Sequence, residues 1–250
     1  ALLSLSAEQI DNAAQGRISA GGDLLLVTQQ LDNQQQGEVL SAGALELRAK
    51  NIDSHDQGLI AGEGAMAIRV TETLDLSQGG QIIGEAALDL QAASLSTRKE
   101  GLVAANGALQ VTATSIDNAE GGEISSQNSL TLNAGSLDNS DGGRITGEAG
   151  INASLEQLDN SQGGLLASNA ALLLQAKQID NSASGTLSGV QLLTLNAETL
   201  NNQGAGRVLS GGDLQVTLDK LINSNAGLLS SRGDLLLHGT ALDNRGGNIV

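Results

Sequence analysis

One pattern of apolar and polar positions recurs along the whole chain. Starting at Ile10, the same aliphatic position returns at 31, 52, 74, 95, 116, 137, 158, 179, 200, 221 and 242. Every interval is 21 residues except one of 22, between 52 and 74, where the extra residue falls within Thr71–Thr73. Numbering this position 0, it is Leu or Ile in all twelve copies, position 8 is Ile, Val or Leu from Ile18 to Val250, and positions 14 and 16 are aliphatic or Met. Position 10 is always Gly, Ala or Ser, and position 6 is Gly in all eleven complete copies. The two-residue spacing within positions 8–10 and 14–16 predicts strands with one buried face. No stretch sustains a helical period, so no helix is expected. Gly and Asn gather between the strand stretches, where turns must fall.

A unit this short cannot bury a core of its own, but stacked units cover one another. The reading is all-β: a right-handed parallel β-helix (solenoid) of ~21-residue coils, with three short strands per coil and about eleven coils. At ~4.8 Å per coil the rod would be about 50 Å long. A leucine-rich repeat shares the period range but needs an Asn close behind its second Leu, and here the Asn comes seven residues later. A left-handed hexapeptide β-helix does not fit a 21-residue coil.

The repeat explains an unusual composition. Phe, Trp, Tyr, Pro and Cys are absent, Met66 is the single Met, and 33 residues are Gly. Stacked aliphatic positions form continuous ladders without aromatics, and interior strands have no amide hydrogen to lose to Pro. Disulfides and thiolate metal sites are excluded. The formal net charge of −16 disfavours nucleic acid and anionic lipid as partners. The recurrent glycines Gly16, Gly37, Gly58, Gly80, Gly101, Gly122, Gly143, Gly164, Gly185, Gly206 and Gly227 are expected at positive φ in a corner, where a Cβ would clash. Asn at position 2 occurs in nine of twelve copies and runs unbroken through Asn118, Asn139, Asn160, Asn181, Asn202, Asn223 and Asn244. Such a turn Asn tolerates the left-handed region and can bond to the Asn above and below. Both ends of the chain fall within a repeat. Residues 1–250 are accordingly read as a single segment of a longer array, without an N-terminal secretion domain or a C-terminal effector domain.

The units L-D-N-S-D-G-G-R-I-T-G (137–147) and L-D-N-S-Q-G-G-L-L-A-S (158–168) resemble the filamentous haemagglutinin repeat, and the resemblance covers the whole chain. That repeat belongs to two-partner-secretion exoproteins of the TpsA type: haemagglutinins, HecA-like adhesins and CdiA-type contact-dependent growth inhibition toxins. The resemblance implies a bacterial surface filament, secreted through an outer-membrane TpsB-type transporter. It also implies a host or target-cell receptor engaged through other parts of the chain. Lack of Cys is compatible with passage through an oxidising periplasm.

Candidate chemistry is sparse. Asp at position 1 occurs in nine of twelve copies and stacks in the series Asp117, Asp138, Asp159 and Asp180. The favoured reading is an Asx-type turn in which each carboxylate caps backbone amides. The alternative is a calcium ladder, although the nonapeptide calcium repeat is absent. His55 and His238 stand alone at unrelated positions and read as exposed loop residues, not as a metal or catalytic pair. No Ser has a His and an Asp placed for nucleophilic catalysis, and sugar subsites would want aromatic platforms. No enzyme, cofactor or small-molecule substrate is expected. The unit at 95 departs most from the pattern: Arg98 and Lys99 there read as drift in an exposed turn or as a small recognition patch. Leu59, Leu102, Leu165, Leu228 and Ile249, at position 7, are expected to point outward. The preferred functional reading is a monomeric structural stalk; the alternative is an adhesin face that itself binds a receptor or glycan.

Overall fold

A computed structural model describes all residues, 1–250. It is a parallel β-solenoid without any helix, built from 30 strands in two sheets. One sheet takes a four-residue strand from positions 7–10 of each coil, from Arg17–Ala20 through Leu228–Ser231, and ends on Asn248–Ile249. It holds twelve strands, so there are twelve turns, one more than the complete repeats suggest. The other sheet takes two strands per coil, such as Leu45–Ala49 and Asn51–Asp53. In six coils these fuse into one ribbon of nine or ten residues, as in Leu88–Ser96 and Leu192–Asn201. Those coils therefore have two strands where three were expected, because the second corner is only a bend in a continuous strand. Register follows the repeat: Leu109 pairs with Leu130, Ile116 with Leu137 and Asp117 with Asp138. The single 22-residue interval is absorbed at Thr71 and Glu72, on an exposed corner, and Leu74 regains register with Ile52.

Fifty buried side chains form one continuous core along the axis. Positions 0, 8, 14 and 16 supply most of its Leu, Ile and Val, with Met66 among them. Position 10 also turns inward at a corner. A Cβ on Gly62 would lie 2.9 Å from the Met66 side chain. Ser41 fits the same position because its hydroxyl donates to nearby backbone carbonyls such as Ala44 O at 3.0 Å.

Three expectations are corrected. The position-6 glycines are not at positive φ. The left-handed residues are the two before them: Gln35 and Gln36, Lys99 and Glu100, Asp141 and Gly142. Position 6 is Gly for lack of space. A Cβ on Gly143 would stand 2.7 Å from Asn139 Oδ1 and 2.9 Å from Asn139 O. The position-2 asparagines are not left-handed either; they turn inward and most are fully buried. Finally, Ile249 does not point outward. The last corner is one residue shorter, so Gly247 takes the place of the corner glycine and Ile249 pairs with Leu229, packed against the core. Val250, not Ile249, is the exposed residue there.

Candidate functional site

The corner between the two sheets concentrates the polar chemistry. Its inner side is a ladder of asparagines. Asn139 Nδ2 donates to Asn160 Oδ1 at 2.7 Å and to Leu165 O at 3.1 Å; the same links join Asn160 to Asn181, Asn181 to Asn202 and Asn202 to Asn223 at 2.7 Å. Asn223 reaches half-buried Asn244 at 2.7 Å. A buried amide needs both donor and acceptor filled, and stacking at the coil spacing does this with identical neighbours. The ladder lapses once. Asn12 leads to Asn33 and then to Ser54, Leu76 follows as a fully buried apolar residue, and the ladder resumes from Thr97 through Asn118.

On the outer side, the position-1 carboxylates close Asx turns. Asp117, Asp138, Asp159 and Asp180 each accept the amide N–H two residues on, at 3.3, 3.0, 2.9 and 2.9 Å. One oxygen of each is thus committed to its own turn, and no side chain with a nitrogen ligand joins them. Arg98 bonds Asp117 at 3.1 Å and also pairs with Glu120 of the next coil. Its pKa is raised chiefly by the hydrogen bond it donates to Glu120. The charge expected of a recognition patch is therefore largely met within the molecule. Lys99 sits at positive φ in the same corner.

The structure brings together one group that the sequence reading separated. His55 is not a free loop residue. It is half-buried, its Nδ1 lies 2.5 Å from Asp53 Oδ1, and Asp75 of the next coil completes a cluster whose ligand atoms lie within 4.8 Å of one another. Its pKa is raised above 6.5, chiefly by the hydrogen bond to Asp53, with Asp75 and Asp56 adding attraction. The available signal was Asp-Ser-His within one repeat, set beside an Asp exactly one pitch away at the irregular 22-residue interval. His238 lies exposed on a strand far along the rod.

Surface hollows are shallow. One of about 540 Å³ runs over the outer face of the four-residue strands beside Leu40, Ala61 and Ile83. It contains no nucleophile paired with a base.

The haemagglutinin repeat family matches the chain at residues 1–107, 86–152, 144–217 and 193–250, which together span it completely. No curated protein and no solved structure matches significantly. The repeats and the solenoid together fit a filamentous adhesin-type stalk, and the family is a structural one.

Proposed function

Because the chain belongs to the haemagglutinin repeat family, we propose that it is a stalk segment of a secreted bacterial surface adhesin or contact-dependent growth inhibition toxin. It holds a binding or toxic domain away from the cell. The observation that carries this reading is the uninterrupted register: twelve stacked strands of one sheet and a core running their full length. In such a solenoid each coil is stabilised by its neighbours, so added repeats add length at little cost in foldability. The same property suits export as an unfolded chain through a TpsB-type outer-membrane transporter, followed by coil-by-coil folding at the cell surface. Negative charge and polar corners favour a monomeric rod. The receptor is engaged through other parts of the protein.

A cell-binding assay and a glycan array on the purified chain test the proposal. A passive stalk gives no saturable binding. Saturable binding that is lost on reversing the charge of Arg98 and Lys99 would replace it with a direct adhesin face.

A further inference from the structure

The corner joining the coils that begin at 52 and 74 combines three departures from the repeat. The asparagine ladder lapses there, with Ser54 and Leu76 in place of asparagine. The only 22-residue interval separates these coils. One of the two histidines stands at position 3, where the other coils carry Ala, Gln, Ser or Arg.

Coil register puts Asp53 directly beside Asp75. Asp53 Oδ1 contacts the His55 ring at 2.5 Å, and Asp75 Oδ1 accepts Ser77 N–H at 2.9 Å. The second oxygen of each carboxylate accepts no hydrogen bond from the protein, and no Lys or Arg pairs with either residue. The nearest guanidinium along the ladder, Arg98, is turned to Asp117 and Glu120. Two carboxylates and an imidazole therefore converge across two coils with only the imidazole to offset their charge.

We propose that Asp53, His55 and Asp75 form a binding site for one divalent transition cation of the zinc class, which clips adjacent coils together where the asparagine ladder is missing. One nitrogen and two carboxylate oxygens suit zinc or a neighbouring borderline ion better than calcium, which prefers oxygen alone. Ligand atoms on one such ion sit ~2.0–2.2 Å from it. The three donors lie within 4.8 Å of one another, so side-chain rotation alone can bring them to ligand spacing, with Asp75 closing in and the hydrogen-bonded Asp53–His55 pair opening slightly. All three are half-buried, so they can rotate, and water would fill the remaining positions. Asp56 adds negative charge at the rim. This site does not depend on the stalk reading, since it concerns the cohesion of two coils.

Isothermal titration of the tag-free, chelator-washed chain with zinc chloride tests it, alongside NMR of the histidine ring nitrogens. The expected result is one zinc per chain, with the His55 resonances shifted and those of His238 unmoved. His55→Gln and Asp75→Asn should each weaken binding at least tenfold, whereas His238→Gln leaves it unchanged. Circular dichroism establishes that each variant retains the solenoid, and the NMR of the unsubstituted chain stands even where a variant does not. Absence of zinc binding, affinity unaltered in His55→Gln, or calcium binding as tightly as zinc would overturn the assignment.

Discussion

Gly142 and Gly143 are adjacent, yet each is glycine for a different reason. Gly142 has φ +77° and open space around its Cα, so Ala there meets only the left-handed backbone penalty. Gly143 has an ordinary φ but no room, because the buried Asn139 side chain and backbone close over it. Gly142→Ala is expected to cost about 1 kcal/mol and Gly143→Ala about 2–3 kcal/mol, compared by urea unfolding followed by circular dichroism. Asn160 illustrates the other half of the corner. Asn160→Ala leaves Asn181 Oδ1 without its donor and removes the acceptor of Asn139 Nδ2. A loss of about 2 kcal/mol is expected in the same measurement. His55 adds a pH dependence. Its pKa is raised by Asp53, Asp75 and Asp56, so folding favours the imidazolium. That contribution is complete below pH 6.5 and is lost as pH rises through the raised value. With chelator present, the melting temperature of the native chain should fall across this window more steeply than that of His55→Gln.

At the scale of the element, the corner between the two sheets joins an inner amide ladder to an outer row of Asx turns in most coils. One oxygen of each carboxylate at 117, 138, 159 and 180 is committed to capping its own turn, and no His joins the row. Calcium added to the chelator-washed chain is therefore expected to leave the melting temperature unchanged, as read by differential scanning calorimetry. The core strands carry most of the burial. Leu132 is fully buried between Val111 and Ala153 in adjacent coils, so Leu132→Ala should cost about 2–5 kcal/mol. The period-two alternation made these strands legible in sequence. Fusion of two strands into one ribbon was not legible, because the bend in Leu88–Ser96 or Asp213–Ile222 uses the same residue types as a true turn.

For the molecule as a whole, the unit of length is the coil. Deleting residues 138–179 removes 42 residues, or two repeats of 21, and joins Leu137 to Asp180 in register. The shortened chain should keep its β circular dichroism and lose about 10 Å of rod length by electron microscopy, twice the strand spacing of ~4.8 Å. A deletion of half a repeat should abolish cooperative melting, because it would set inward positions against outward ones. The sequence by itself determined the solenoid, its period and its aliphatic ladders, because units too short to bury their own apolar face must bury it by stacking, and its units 137–147 and 158–168 carried the resemblance to haemagglutinin repeats. Tertiary structure alone decided which corner residues carry positive φ, why the recurrent glycine admits no side chain, and that Ile249 turns inward after a shortened corner. It also decided that His55 meets Asp75. These outcomes depend on what the neighbouring coil places against each residue, and that contact spans a full pitch of chain that no local pattern records.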